Sequence, residues 1–140
     1  MIYVVSGAPC SGKSTYIREN AKPGSIVIDM DRIALALTTE DTQHHDYSKA
    51  IRSLAMTTRK TAVKKAMTLG AVLDVWVIDT EPSQESKAMY SWYKAKHITL
   101  NPPLEEIMQR IEDNRPEHLR GKLRKLAMDY YLNGIERYYE

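Results

Sequence analysis

The sequence predicts an α/β fold in which a small parallel sheet of about four strands is covered by helices on both faces. Apolar runs rich in β-branched residues predict the strands, and they occur at Ile2–Val5, Ser25–Ile28, Val72–Ile78 and His97–Leu100. Helical patterns lie between these runs. Strands that alternate with helices along a chain are typical of a parallel sheet with both faces buried.

The first predicted strand leads directly into a glycine-rich loop with the spacing G-x-x-x-x-G-K-[ST]. This phosphate loop consists of Gly7, Ala8, Pro9, Cys10, Ser11, Gly12, Lys13, Ser14 and Thr15. A short helix is predicted next, near Ser14–Ala21, and Pro23 and Gly24 end it. Between a strand and a helix, the N–H groups of such a loop bind phosphate. The sequence therefore predicts a nucleoside triphosphate site in a three-layer P-loop NTPase fold.

Three side chains of the phosphate loop carry specific expectations. Lys13 is expected to reach the β- and γ-phosphates, and the Ser14 hydroxyl is expected to bind Mg²⁺. Cys10 is the single cysteine of the chain, which excludes an intramolecular disulfide and indicates a reducing compartment. Its thiol is either a site at which oxidation impairs nucleotide binding or an inert filler of the loop.

Length and composition predict one domain, residues 1–140, of ordinary globular character. Hydrophobic residues make up 43% of the chain and charged residues 27%. The net charge of +2 gives no overall indication of nucleic-acid binding, so any basic surface must be local. No apolar stretch approaches the ~18 residues of a membrane span, and no cleavable leader is present. The expected location is cytoplasmic, away from any membrane.

The second predicted strand ends in two carboxylates, Asp29 and Asp31. Ligands of parallel α/β sheets bind at the carboxyl ends of the strands, so this pair is expected beside the phosphate loop. Phosphoryl transfer to a hydroxyl needs a carboxylate that orients the acceptor and receives its proton, and Asp31 is the candidate. Asp29 is expected to hold a metal-bound water or an acceptor group. The alternative is that Asp31 only caps the next helix.

The long middle helix, predicted at Tyr47–Leu69, separates into two faces at 100° per residue. Its apolar face contains Ile51, Leu54, Ala55, Thr58, Ala62, Ala66 and Leu69. Its basic face contains Lys49, Arg52, Arg59, Lys60 and Lys64. Such a face is either solvated or a footprint for a phosphate backbone, and the pattern is compatible with both.

The third predicted strand also ends in an acid, Asp79. We expect it to hold Mg²⁺ through water or to bond the Ser14 hydroxyl, which makes Ser14, Asp29 and Asp79 the candidate metal residues. A plain turn residue is the alternative. Because Thr80 follows instead of a second acid, the pattern argues against motor-type ATPases. A helix is predicted next, at Ser83–Lys94.

Two helices, Leu104–Glu112 and Gly121–Tyr138, are predicted after the fourth strand, with Pro116 breaking the chain between them. The cations around this break are Arg110, Arg115, Arg120, Lys122, Arg124 and Lys125. Phosphoryl transfer requires cations that neutralise the charge developing on the transferred group. The segment at about 110–121 is therefore expected to form a lid, with Arg110 and Arg115 as its catalytic arginines.

These motifs together resemble the small P-loop kinases, most closely the kinase domain of bacteriophage polynucleotide 5′-hydroxyl kinases. The phosphate loop matches the family's loop, with Cys10 where glycine is frequent, and Asp31 matches its acceptor-activating aspartate. Ile78-Asp79-Thr80 matches the family's strand-end I-x-D-T, and Arg110 and Arg115 lie in the stretch that resembles its arginine lid. The resemblance implies a kinase that uses ATP and Mg²⁺ to phosphorylate the 5′-hydroxyl of a nucleic acid.

The chain also departs from that family. The polynucleotide kinases have an arginine three residues past the aspartate, where this chain has Ala34. The Asp29-x-Asp31 pair is equally similar to shikimate- and gluconate-type kinases, which leaves a nucleoside monophosphate or a small metabolite as an alternative acceptor. A slow nucleotide-dependent regulatory binder is the third possibility, although the chain lacks the N-K-x-D signature of guanine-specific switches.

Overall fold

The computed structural model describes the backbone of residues 1–39, 42 and 46–139, and the side chains of these residues as far as Asn133. Four strands lie in one parallel sheet in the order β2-β3-β1-β4. They are β1 (Ile2–Gly7), β2 (Ile26–Ile28), β3 (Val75–Ile78) and β4 (Lys96–Leu100). The prediction of a small four-stranded parallel sheet is therefore confirmed.

Six helices occur in the described part of the chain. They are α1 (Lys13–Asn20), α2 (Met30–Ala36), α3 (Lys49–Met67), α4 (Gln84–Trp92), α5 (Leu104–Asn114) and α6 (Glu117–Tyr139). Across the residues described, no helix combines the length and the apolarity that crossing a membrane requires.

Alternate residues of β1 face opposite sides of the sheet and bury two separate clusters. Val4 packs with Val63 of α3 and Tyr90 of α4 on one side. Val5 packs with Ile17 of α1 on the other side, together with Trp76. Full burial of a side chain such as valine contributes about 1.5–3 kcal/mol. The two clusters give the three layers that the sequence predicts.

The last two helices, α5 and α6, form a third cluster that includes the phosphate loop. Ile107 and Ile111 of α5 pack against Leu123 and Ala127 of α6 and against Ala8 of the loop. All of them except Leu123 are completely buried. This contact fixes the α5–α6 pair over the loop, which brings the arginines of α5 to the carboxyl ends of the strands.

The third strand and the last helix begin elsewhere than predicted. β3 begins at Val75, because the N–H groups of Val72 and Leu73 both donate to the Leu69 carbonyl at 2.9 and 3.0 Å and form turns. Val72, predicted in the strand, is 78% exposed. α6 begins before Gly121, because the Pro116 carbonyl accepts from Leu119 N–H and proline is tolerated in a first turn.

The apolar face predicted for α3 is only partly correct. The buried side chains of this helix are Ala55, Val63, Ala66 and Met67. Leu54 belongs to the predicted face but is 50% exposed. Val63 and Met67 pack on the sheet, so the buried face of α3 is centred farther from Leu54 than predicted. The predicted face was centred on the smaller residues of the helix and is therefore rotated slightly from the observed one.

Candidate active site

The carboxyl ends of β1, β2 and β3 open into a cavity of about 1050 Å³. The predicted site residues that line it are Pro9, Cys10, Ser11, Gly12, Lys13, Ser14, Thr15, Asp29, Asp31, Asp79, Arg110 and Arg115. Because β3 lies between β2 and β1 in the sheet, Asp79 lies between the aspartate pair and the phosphate loop. The fold thus gathers in one place residues that are as much as 106 positions apart, from Pro9 to Arg115.

Two glycines of the phosphate loop are required by its backbone. Gly7 has a φ of +145°, and a Cβ atom there would lie 2.2 Å from the Leu100 carbonyl oxygen. Gly12, at the N-cap of α1, has a φ of +93° and would place a Cβ atom 3.2 Å from Nη1 of Arg110. These glycines let the chain turn tightly into α1, so the first N–H groups of this helix form an anion-binding terminus.

Lys13 is buried at the base of the phosphate loop, with 8% of its surface exposed. Its Nζ donates hydrogen bonds to the carbonyl oxygens of Gly7 and Ala8, at 2.8 and 2.7 Å. Burial lowers the pKa of Lys13 to about 8, and the nearby negative groups of Cys10 and Asp29 oppose part of this shift. An anionic phosphate beside this ammonium favours its charged form.

Asp29 connects the second strand to the phosphate loop. Its Oδ2 accepts a hydrogen bond from Ser14 Oγ at 3.3 Å, and its Oδ1 accepts from the Asp31 N–H at 3.0 Å. The second bond makes Asp29, and not Asp31, the N-cap of α2. Both carboxylate oxygens are thereby oriented. The residue is also buried, with only 6% of its surface exposed.

The Ser14–Asp29 pair fits a magnesium ion. Mg²⁺ takes one or two protein oxygen ligands and completes its octahedron with waters and substrate phosphates. A hydroxyl and a carboxylate oxygen held together at the start of α1 supply that donor set. Among the described residues, no group of three or more His, Cys, Asp or Glu side chains forms a closed metal cage.

Asp31 lies in the first turn of α2 and accepts a hydrogen bond at Oδ1 from the hydroxyl of Tyr47. Burial and the bond to Asp31 both raise the pKa of the Tyr47 phenol, so the phenol stays a proton donor at neutral pH. Tyr47 was not predicted as a site residue from the sequence. No local pattern links residues 31 and 47, because their contact depends on how α2 packs against α3.

Asp79 is held by two partners that the sequence analysis did not connect to it. Its Oδ2 accepts from the hydroxyl of Tyr90 at 2.7 Å and lies 3.5 Å from Nη2 of Arg59. Nη2 of Arg59 also donates to the Ile78 carbonyl at 2.9 Å. Ser14 is therefore bonded to Asp29 and not to Asp79, and Asp79 anchors a guanidinium at the cavity wall.

Arg110 and Arg115 both reach the cavity from α5, and each is held differently. Arg110 donates from Nη1 to the Cys10 carbonyl at 3.3 Å and pairs through Nη2 with Glu106 at 2.8 Å. Arg115 ends α5, and its buried Nε has no hydrogen-bond partner in the part of the chain that is described. Buried donors are ordinarily hydrogen-bonded, so this one is an exception at the cavity wall.

The other two arginines near the chain break at Pro116 point elsewhere. Arg120 and Arg124 both pair with Glu112 of α5, and Arg120 Nε also donates to the Arg115 carbonyl at 2.9 Å. Neither lines the cavity, whereas Lys122 does. The basic segment therefore divides into cavity-lining cations and cations that join α5 to α6.

A family model described as an AAA domain matches residues 2–123 of the chain. Two solved structures have a similar fold. "Structure of Pnkp1/Rnl/Hen1 complex" matches at 20% identity and a TM-score of 0.56, over 83% of this chain and 40% of that chain. "Structure of the Pnkp1/Rnl/Hen1 RNA repair complex" matches at 18% identity and a TM-score of 0.59, over 94% of this chain and 45% of that chain. No curated protein matches the chain.

The chain thus spans less than half the length of either solved chain. The predicted P-loop NTPase-like fold is confirmed by the family match and by these structures.

Proposed function

We propose that this chain, which belongs to the AAA domain family and is a P-loop kinase-like domain, is an ATP-dependent kinase that phosphorylates a hydroxyl group. The proposed acceptor is the 5′-hydroxyl of a nucleic acid. One observation carries the proposal: the phosphate loop with Lys13 and the carboxylate of Asp31 line the same cavity. A phosphate site and a proton acceptor at one cavity are the two parts that phosphoryl transfer to a hydroxyl requires.

On the donor side, the loop N–H groups and Lys13 bind the β- and γ-phosphates. Ser14 and Asp29 would hold Mg²⁺, which when bound neutralises phosphate charge as the phosphoryl group transfers. Arg110 is already held against the Cys10 carbonyl, so its guanidinium stabilises transferred charge with little reorganisation. Arg115 supplies a second guanidinium from the end of α5.

On the acceptor side, Asp31 orients the attacking hydroxyl and receives its proton as the new O–P bond forms and the bond to the leaving phosphate breaks. The Tyr47 hydroxyl donates to Oδ1 of this carboxylate and orients it. Tyr47 is therefore a positioning residue, and Asp31 is the proposed catalytic base.

The choice of a nucleic acid as acceptor has two supports. One of the solved structures with this fold belongs to a complex described as an RNA repair complex. Arginine and lysine side chains also line the cavity, which suits a polyanionic acceptor. A nucleoside monophosphate, a small metabolite, or slow hydrolysis without an acceptor are the outcomes that compete with this choice.

Label transfer from γ-³²P-ATP with Mg²⁺ to a panel of acceptors tests the proposal. The panel contains 5′-hydroxyl DNA and RNA oligonucleotides, oligonucleotides with a blocked 5′ end, nucleosides, nucleoside monophosphates and polyols. We expect label on free 5′-hydroxyl ends, its loss in Asp31→Asn, and its retention in Asp113→Asn, a matched change on the exposed side of α5. Label on a nucleoside monophosphate or a polyol would show that the acceptor is a small molecule and not a nucleic acid. Release of free phosphate without any labelled acceptor contradicts the kinase proposal.

A further inference from the structure

One face of α3 forms a wall of the cavity. Lys49, Arg52, Met56 and Arg59 are spaced by three, four and three residues, so they share one side of the helix, and all four line the cavity. We call these four residues the cavity stripe. Lys60 and Lys64 belong to the same predicted basic face, but they are exposed and do not line the cavity. The structure therefore divides the basic residues of α3 into two groups.

The charge of α3 is unusual for a solvated helix. From Lys49 to Met67 the helix contains six lysines and arginines and no acidic residue. Exposed helices ordinarily intersperse both signs at i, i+4 spacing, because such pairs stabilise the helix. In the described part of the chain, Lys49 and Arg52 have no carboxylate within salt-bridge distance, whereas Arg120 and Arg124 share Glu112. The charges of Lys49 and Arg52 are thus available to an anionic ligand, whereas Arg59 is paired with Asp79.

The stripe is also too long for a mononucleotide. Ten residues separate Lys49 from Arg59, which at a rise of ~1.5 Å per residue is about 15 Å. Phosphates of a stacked nucleic-acid strand follow each other at about 3.4 Å along the axis, so roughly four of them match this length. A single nucleotide covers only part of it.

An apolar side chain lies between the cations of the stripe. Met56 is 54% exposed and separates Arg52 from Arg59. Single-strand binding surfaces combine cations that contact the backbone with aromatic side chains on which bases stack, and a methionine thioether also contacts aromatic rings favourably. Tyr47, which holds Asp31, also lies close enough to Arg52 for the guanidinium to oppose the upward shift of the phenol pKa. The stripe therefore adjoins the proposed acceptor position.

We propose that the cavity stripe of α3 binds the acceptor as a single strand of at least three nucleotides, with its 5′-hydroxyl at Asp31. This inference rests on the proposed kinase function and adds to it the path of the strand. Lys49 and Arg52 contact its phosphates and Met56 contacts a base. Arg59, fixed by Asp79 and the Ile78 carbonyl, lies at the end of the stripe farther from Tyr47 and Asp31.

Steady-state kinetics on acceptors of increasing length test the inference. The acceptors are a nucleoside 3′-monophosphate and 5′-hydroxyl oligonucleotides of two, four and eight nucleotides. The variants are Lys49→Ala and Arg52→Ala, both at exposed positions, and the matched controls are Lys60→Ala and Lys64→Ala. Thermal unfolding of each variant shows whether it is folded.

We expect each stripe variant to raise the KM of the eight-nucleotide acceptor roughly two- to fivefold, the range for an exposed charge pair. The KM of the monophosphate changes less, and the effect falls on KM and not on kcat. The slope of log KM against log salt concentration falls by about 0.7 for each cation removed. The control variants leave both quantities as in the wild type.

Two results would overturn the inference, and they distinguish failure of the strand path from failure of the proposed kinase function. If the wild type labels 5′-hydroxyl ends, but stripe and control variants have equal KM values at every length, the strand does not follow α3 and the kinase proposal stands. If the wild type labels no 5′-hydroxyl acceptor of any length, the proposed acceptor fails and the stripe proposal fails with it.

Discussion

Lys13 and Asp31 line the same cavity, but the chain holds them in different ways. Lys13 is held by main-chain atoms, through two carbonyl oxygens of the loop that immediately precedes it. Asp31 is held by a side chain, Tyr47, from another part of the sequence. Asp79 resembles Asp31 in this respect, since Tyr90 and Arg59 hold it. The side proposed for the phosphate donor is therefore held by backbone atoms, and the side proposed for the acceptor is held by side chains.

This difference determines what substitutions do on each side. A change in the phosphate loop alters the backbone and nucleotide binding together, because the same atoms serve both. A change on the acceptor side removes one side-chain bond and leaves the loop intact. It therefore changes the reaction with the acceptor and leaves the affinity for the nucleotide unchanged.

Asp31→Asn tests the acceptor side most strongly. The amide keeps an oxygen that accepts from Tyr47 but cannot receive a proton, so we expect kcat to fall about 10²–10⁴-fold, the usual range for general acid–base catalysis. The Kd for ATP, measured by fluorescence titration, stays as in the wild type. A weakened ATP affinity would contradict the separation of the two sides.

Lys13→Met tests the donor side by removing the ammonium and keeping the volume. We expect kcat to fall roughly 10²–10³-fold, as for the loss of one electrostatic stabiliser of the transition state, and the Kd for ATP to rise at the same time. Single-turnover transfer and ATP titration measure the two quantities. A variant with normal ATP affinity and reduced kcat would show that the donor side separates in the same way as the acceptor side.

Tyr90→Phe removes one support of Asp79 without touching the cavity directly. Tyr90 is completely buried and its hydroxyl bonds a carboxylate, so we expect the free energy of unfolding to fall by about 1.5–3 kcal/mol. The KM for the acceptor rises because Arg59 loses its oriented partner, and the ATP affinity stays unchanged. Urea unfolding and steady-state kinetics measure these effects.

Tyr93→Phe, at the partly exposed end of α4, is the matched control for Tyr90→Phe. It removes a hydroxyl from the same helix without a carboxylate partner among the described contacts. If Tyr93→Phe raised the acceptor KM as much as Tyr90→Phe does, the effect would belong to the stability of α4 and not to Asp79.

The contrast between the two sides also explains what could be predicted from the sequence. The strands and the phosphate loop are local features, since β-branched runs and the spacing from Gly7 to Ser14 carry the signal within a few residues. Asp29, Asp31 and Asp79 could be placed together because strand ends in a parallel sheet share one edge. Their partners depend on helix packing, and no pattern in the sequence indicates them.

Arg59 shows this limit most clearly. The sequence places it among the basic residues of α3, which gives no reason to separate it from Lys60. In the folded chain Arg59 is half-buried against Asp79, while Lys60 faces solvent. The two neighbours lie on different sides of the helix, and only the side of Arg59 meets the end of β3. Which side meets it depends on the rotation of α3 about its axis. The exposure of Leu54 shows that the sequence predicts this rotation only approximately.

The pKa of Lys13 gives a pH-dependent test of the donor side. Because burial lowers this pKa to about 8, roughly half of the free protein carries a neutral Lys13 at pH 8. Bound phosphate favours the ammonium and raises the pKa again, so ATP binding takes up about half a proton at pH 8 and much less at pH 6.5. The affinity for ATP therefore falls as pH rises above 8.

Calorimetric titrations in buffers of different ionisation enthalpy measure this proton uptake directly. Lys13→Met is the control, since it has no group to protonate. Equal uptake in the variant and the wild type would assign the proton to the nucleotide or to another side chain, and would remove Lys13 from the explanation.

The smallest expected effect concerns the backbone of the phosphate loop itself. Cys10 has a φ of +62°, and a left-handed conformation costs a residue with a Cβ atom about 1–2 kcal/mol. Cys10→Gly removes this strain but adds the entropy cost of glycine in the unfolded chain, so we expect a net gain of about 0.5–1 kcal/mol in the free energy of unfolding.

Cys10→Ala keeps the strain and removes the thiol, and Cys10→Val adds a β-branched side chain that tolerates the conformation least. Urea unfolding should therefore rank glycine above cysteine and alanine, with valine last, whereas equal stability of the glycine and alanine variants would show that the donor side is not strained at this position.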